Sequence, residues 1–323
     1  MTTAPINTQQ TLSLAAIGDA ARRITPYVRR TALVELIPAG LWLKAESLQP
    51  IGAFKLRGAF NAILSLSPAE RARGVIAYSS GNHAQAVSYA AGVLGVRAVV
   101  VMPADAPRAK LEGTQRWGAE IVLVGASSAE RAAHAASLVA KHGYCLIPPF
   151  DAWPIIHGTA TIGLEILETA PQTRAVFVPV SGGGLLAGVA TYIKQFDPTV
   201  RVIGVEPALA DDAAQSLRTG ERVMLPAEQT ARTIADGLRA QQLGALTWPL
   251  IQAHVDDIIT VSEAEIRAAM RTIAAGARLI AEPSGAVACA GALKQGGDLS
   301  RSVAVLSGGN VDLDLLAEIL GET

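Results

Sequence analysis

Short apolar runs rich in Val and Ile alternate along this chain with Ala-rich stretches whose apolar positions recur every three to four residues. GVIAY (74–78) precedes HAQAVSYAAGVLG, RAVVVM (97–102) precedes APRAKLEGTQRWG, and EIVLVG (120–125) precedes SAERAAHAASLVAKHG. β-Branched runs of strand length, each followed by a segment of helix length, predict a parallel sheet covered by crossover helices. A second series predicts a second α/β layer: AVFVPV (175–180) with LLAGVATYIKQF, RVIGVE (201–206), and RSVAVLSGG (301–309) with VDLDLLAEIL. YCLIPPFDAWPIIHG (144–158) carries three prolines and neither period, so it is expected as the crossing between a small unit and the rest.

Composition narrows the reading to a globular chain that acts on small molecules. Half of the 323 residues are apolar, enough for a sizeable core. Only 17% are charged and the net charge is −1, which leaves no basic excess to hold nucleic acid phosphates. The N-terminal stretch MTTAPINTQQTLSLAAIGDAARRI has no basic head before an apolar core, and no later apolar run approaches the ~20 residues of a membrane span. A cytoplasmic protein is expected. Cys145 and Cys289 lack zinc or redox spacing and read as free, buried thiols.

In PVSGGGLLAG a predicted strand runs into Ser181, Gly182, Gly183 and Gly184 before a helix opens near Leu185. Glycines there let backbone N–H groups converge on an anion at the positive end of the helix. No Gly-Lys-Ser/Thr follows, so this is not a P-loop. Gly182, Gly184 and Ala187 do fit G-x-G-x-x-A, with Glu206 ending the next strand where an acidic residue would hold a dinucleotide's ribose. A phosphate cup, a dinucleotide site and a structural turn all remain open on this motif.

Lys55, in PIGAFKLRGAFNAI (50–63), sits at the expected entry to a helix among apolar neighbours. Partial desolvation would make it a Schiff-base lysine, whereas alone it reads as a solvated helix-face residue. AYSSGNHAQAVSYAA (77–91) delivers Ser79, Ser80, Gly81, Asn82 and His83 into a helix N-terminus. Backbone donors and hydroxyls there suit a carboxylate, and an asparagine amide can donate to a phenolate oxygen. Helix capping by Ser80 or Asn82 is the plainer reading of either one alone.

The ordered motifs GAFKLRGA, SSGNHAQA, PVSGGGLLAG, EPALADD, TIADG and VLSGGNVD resemble fold-type II pyridoxal-phosphate (PLP) enzymes, specifically the serine racemase and serine/threonine dehydratase family, over about residues 15 to 318. The resemblance implies a tryptophan synthase β-like α/β fold of two open parallel-sheet domains. The large cofactor-binding domain is expected at 1–73 and 152–323, and the small domain at 74–151. It also implies that Lys55 holds PLP and removes the Cα proton, that Ser181 to Leu185 bind the phosphate, that Asn82 touches the cofactor's phenolic oxygen, that Ser307 faces the pyridine nitrogen, and that Phe54 lies against the ring. Residues 79–83 and Arg131 would bind substrate. Glu206, Asp212 and the Ala210 carbonyl match a divalent-metal site for Mg²⁺, Ca²⁺ or Mn²⁺. A homodimer is expected.

The activity implied is elimination of water from a small β-hydroxy amino acid, giving a 2-keto acid and ammonia. Ser80 resembles the serine of serine racemases and hydroxyaspartate dehydratases rather than the alanine usual in threonine dehydratases, which implies a second catalytic residue whose hydroxyl, opposite Lys55, passes a proton to or from Cα, so racemisation is the alternative. A nicotinamide-dependent oxidoreductase and a non-enzymatic ligand-binding module are the remoter ones. Ala53, Ser181, HGTAT (157–161) and Ala240 depart from the usual pattern, which leaves the β-substituent open, phenylserine included. His157 reads as a hydrogen-bonded loop histidine. The chain ends at Thr323 without the regulatory extension of biosynthetic threonine dehydratases, so a catabolic role is expected.

Overall fold

The computed structural model describes residues 12–79, 81–104, 108–125 and 128–322. Ten strands form two sheets: β1 Leu33–Leu36, β2 Leu41–Ala45, β3 Val75–Tyr78, β4 Ala98–Pro103, β5 Glu120–Val124, β6 Cys145–Leu146, β7 Ala175–Pro179, β8 Arg201–Pro207, β9 Asp257–Val261 and β10 Ser302–Leu306. The six-stranded sheet has the order β1-β2-β10-β7-β8-β9 and the four-stranded sheet the order β5-β4-β3-β6. Every pairing is parallel except the β1–β2 hairpin.

Side chains alternate across each sheet, so a strand buried on both faces reads as a continuous apolar run. On β7, Val176 and Val178 pack against the helices Trp153–Thr169 and Gly184–Phe196, while Phe177 between them joins the opposite core beneath Glu263–Ala277 and Pro283–Gln295. The small sheet is covered in the same way. Val75, Ala77 and Val100 face the helices Lys55–Ser65 and Asn82–Val93, and Ile76, Val99 and Val101 face Ser128–His142. Helices on both faces of both sheets are what the alternating pattern predicts.

Four strands escaped that pattern. β1 and β2 flank a short turn and carry Glu35 and Lys44 among their apolar residues, β6 is two residues long, and β9 reads DIITV beyond the regular series. The proline-rich crossing is also partly helical. Pro148 and Pro149 break the chain after β6, but Pro154 lies in the first turn of Trp153–Thr169, where its missing N–H costs nothing. His157 is therefore a helical residue, not a loop residue.

Candidate active site

The turns after β3, β7 and β10 all leave from strand C-terminal ends, the side of a parallel sheet on which ligands bind. They meet at a cavity of about 530 Å³. All the described cofactor and substrate candidates line it: Phe54 and Lys55, residues 79 and 81–83, Arg131, residues 181–185, and Ser307. Ser80 lies outside the described residues.

Gly183 is the N-cap of Gly184–Phe196 and adopts φ +90°, a left-handed conformation that disfavours any side chain. A Cβ on Gly182 would stand 2.4 Å from three ring atoms of Phe150, so the loop lies directly against that ring. Other contacts hold the loop from behind. The Gly182 carbonyl accepts from Gly244 N at 3.1 Å and Thr247 Oγ1 at 2.8 Å, and the Gly184 carbonyl accepts from Thr159 Oγ1 at 2.8 Å. Ser181 Oγ accepts from Ala240 N at 3.2 Å. The first-turn amides, which have no intrahelical acceptor, are left for an anion at the positive helix end.

Lys55 is the first residue of its helix, after Phe54 N donates to the Ser307 carbonyl at 3.0 Å. Its amine donates to the Pro149 carbonyl at 2.7 Å and stands 5.1 Å from the Phe54 ring centroid. Burial pushes its pKa from 10.5 down to about 8. At neutral pH roughly a tenth of such an amine is unprotonated, several hundred times the fraction of a solvated lysine. Lys55 is therefore a cavity residue with a depressed pKa, not a solvated lysine on a helix face.

Gly81, not Asn82, is the cap of the following helix, without a side-chain capping bond. Ser79 Oγ accepts from Gly81 N at 3.3 Å. His83 is 3% exposed and its Nε2–H donates to the Ile147 carbonyl at 2.8 Å. Burial, helped by the nearby Lys55 charge and opposed by that carbonyl, pushes its pKa to about 3, so it is neutral. Its Nε2 is committed to tying down the segment that holds Lys55. Asn82 Nδ2 donates to Glu282 Oε1 at 2.6 Å, and Asn82 Oδ1 accepts from Asn310 Nδ2 at 2.7 Å. Ser307 is buried, offering an uncharged hydroxyl whose contact with the Ser284 carbonyl is long, at 3.5 Å.

Glu282, Asn310, Tyr78, Phe150 and Asp236 also line the cavity and carried no signal of their own. Asp236 and Asn310 lie within TIADG and VLSGGNVD, and Glu282 precedes a Pro-Ser-Gly helix start, which was the available hint.

Glu206 stands apart from this cavity. It is fully buried and accepts from Ala213 N at 3.2 Å and Ala214 N at 2.8 Å, so it is turned onto its own following helix rather than toward a ribose. Burial and then the Asp212 charge hold its pKa well above the carboxylate range, and burial raises Asp212 to about 7. Asp212 Oδ2 is buried without a hydrogen-bond partner, and Ala210 is buried beside them in sequence. Among the described residues no three His, Cys, Asp or Glu side chains converge as a metal centre, so the expected cation rests on two carboxylates and a carbonyl alone.

A glycine loop opening a helix, a part-neutral lysine, an amide donor and a neutral serine share one cavity, a set of groups that suits a phosphorylated carbonyl cofactor. The chain belongs to the pyridoxal-phosphate dependent enzyme family, whose profile matches residues 19–308. It is 40% identical over 310 residues to the L-threo-3-hydroxyaspartate ammonia-lyase of Saccharomyces cerevisiae, covering 94% of each chain. It is 42% identical to the serine racemase of Arabidopsis thaliana, again covering 94% of each. The crystal structure of a T.th. threonine deaminase superposes with a TM-score of 0.87 at 45% identity, covering 93% of this chain and 99% of that one.

Proposed function

We propose that this protein eliminates water from a small β-hydroxy amino acid, releasing a 2-keto acid and ammonia. The observation that carries the reading is the Lys55 amine, with its pKa near 8, in one cavity with the Gly182–Gly184 loop, Asn82 and Ser307. Pyridoxal phosphate, when bound, supplies the electron sink for the bond broken at Cα. The residues that would hold it are the amides of 181–185 for its phosphate, Lys55 for attachment, Asn82 for the phenolic oxygen and Phe54 against the ring, all of which line the cavity.

The chain's own residues supply positioning and proton transfer. The turn at 79–83 and Arg131 hold the substrate carboxylate and its neighbouring groups at a helix N-terminus. Lys55, kept partly neutral by burial, takes the Cα proton, and the β-hydroxyl departs as water once protonated. The released enamine hydrolyses to the keto acid and ammonia. Ser307 would offer the ring nitrogen an uncharged hydroxyl and not a carboxylate, which would favour prompt departure of the β-hydroxyl.

Likeness to hydroxyaspartate ammonia-lyase and threonine deaminase supports elimination, and likeness to serine racemase at 42% identity supports racemisation as the second reading. Turnover on serine, threonine, the threo and erythro hydroxyaspartates and phenylserine tests both, with keto acid measured beside chiral chromatography. Elimination should dominate; D-serine formed faster than keto acid would reverse the ranking.

Two further elements belong to the proposal. A divalent cation between Glu206, Asp212 and the Ala210 carbonyl is supported by the buried, unpartnered Asp212 Oδ2; a higher melting temperature with Mg²⁺ or Mn²⁺ that Asp212→Ala removes is the expected result. A homodimer is proposed from the family resemblance alone; light scattering should give twice the 33.4 kDa chain mass.

A further inference from the structure

The helix Pro283–Gln295 starts after Glu282, and a helix N-cap ordinarily turns its side chain back onto the first-turn amides. Glu282 makes no such capping bond, although its backbone N–H donates to the Gly308 carbonyl at 3.1 Å. Its side chain instead enters the cavity, 4% exposed, where Oε1 accepts from Asn82 Nδ2 at 2.6 Å. The positive end of the helix favours a carboxylate at that point.

Glycine at 308 makes this contact sterically feasible. A Cβ there would stand 1.9 Å from Glu282 Oε1 and 3.2 Å from Asn82 Nδ2. On the other side, Asn310 Nδ2 gives one hydrogen to the Ile51 carbonyl at 2.8 Å and one to Asn82 Oδ1 at 2.7 Å. Both hydrogens of Asn310 are thereby assigned, which fixes which end of the Asn82 amide is oxygen. Asn82 then gives one Nδ2 hydrogen to Glu282 and retains one for a ligand of the cavity. Turning the amide over would set its oxygen against Glu282 and its NH₂ against the Asn310 NH₂.

We propose that Glu282 and Asn310 are positioning residues that lock the Asn82 amide with its second N–H on the cofactor's phenolic oxygen, in a notch that Gly308 keeps open. The proposal rests on the cofactor site assigned above and adds the device that orients it. A fixed donor on that oxygen favours its deprotonated form, which absorbs at long wavelength. An unlocked amide spends part of its time with oxygen facing oxygen, weakening both affinity and that band.

The test loads purified wild-type protein, Glu282→Ala, Glu282→Gln and Asn310→Ala with pyridoxal phosphate, measuring affinity by fluorescence quenching and the ratio of long-wavelength to near-ultraviolet absorbance. Glu282→Ala and Asn310→Ala should each lose on the order of tenfold in affinity, the scale of one hydrogen bond to a charged or aligned group, and should lower the ratio. Glu282→Gln retains an acceptor oxygen and should restore both to within about twofold of wild type. Circular dichroism of the cofactor-free proteins establishes folding, and Asn310, at an exposed position, keeps the test decisive if Glu282→Ala does not fold. Wild-type affinity and spectrum in both alanine variants would overturn the positioning roles while leaving the cofactor site standing. So would Glu282→Gln falling as far as Glu282→Ala, because charge rather than orientation would then be at work. No uptake by the wild type would overturn the site itself.

Discussion

Replacing Arg57 by methionine should destabilise the protein by about 3–5 kcal/mol at pH 8, the usual cost of removing one partner from a buried ion pair. The helix that begins at Lys55 carries Arg57 two residues later, and its guanidinium is fully buried. It donates to Glu46 Oε2 and Oε1 at 2.8 Å each, to Glu165 Oε1 at 2.7 Å and Oε2 at 2.8 Å, and to Thr161 Oγ1 at 3.1 Å. Lys44 completes the group, donating to the Thr31 carbonyl at 2.6 Å and pairing with Glu165 at 2.5 Å. Two cations therefore balance two carboxylates in a site closed to water.

Burial alone would raise the Glu46 pKa, but the Arg57 charge and hydrogen bonds, aided by Lys44, hold it below the usual carboxylate value. Methionine fills most of the space and leaves two carboxylates against one ammonium, so the desolvation cost of one carboxylate is no longer offset. Its folded-state pKa then rises above the unfolded one. The variant should recover stability as pH falls through that raised value and lose it as pH rises. Urea denaturation at about pH 8 and pH 5.5 should show a deficit at least twice as large at the higher pH. No deficit, or one that grows toward acid, would refute the charge accounting.

Gly182→Ala should weaken pyridoxal phosphate binding about tenfold or more, since its Cβ falls 2.4 Å from the Phe150 ring, and adding Phe150→Leu should recover part of the loss; fluorescence titration of the three proteins checks this. Cofactor attachment requires the neutral Lys55 amine, so its rate, followed by absorbance in stopped flow, should rise about tenfold from pH 7 to pH 9 with a midpoint at about 8. In the cofactor-free protein the same depressed pKa makes the folded state bind fewer protons than the unfolded one between about 8 and 10.5, so Lys55 contributes stability that rises with pH there. Cys289, buried with its thiol pushed up to about 12, should resist disulfide reagents in the native protein, whereas the half-buried Cys145 should react.

Much of the architecture was legible because the strands that build it are buried on both faces. AVVVMP and SVAVL carry no competing polar period, and their helices follow at once. β1, β2 and β9 were not legible, since edge and hairpin strands mix Glu35, Lys44 and Asp257 into short runs whose register only the sheet supplies. Within the site, the residues that read clearly were those on glycine- and serine-rich turns, which the strand-to-helix pattern places at helix N-termini. Glu282 and Asn310 did not, because each contacts a partner distant in sequence, Asn82 lying 200 residues from Glu282 and 228 from Asn310, and behind the site the same holds for Arg57 and Glu165, 108 residues apart. Glu206 misled in the opposite direction, its place after a glycine motif suggesting a ribose contact when its carboxylate serves its own helix.

Every role proposed for the cavity depends on a covalent bond between Lys55 and the cofactor. Hydride reduction of the loaded protein followed by proteolysis and mass spectrometry locates that bond on a single residue. The phosphopyridoxyl group should be found on Lys55 alone, with the visible band lost on reduction and absent from Lys55→Ala. A label on another lysine, or a protein that remains colourless and unlabelled after incubation with pyridoxal phosphate, would contradict it.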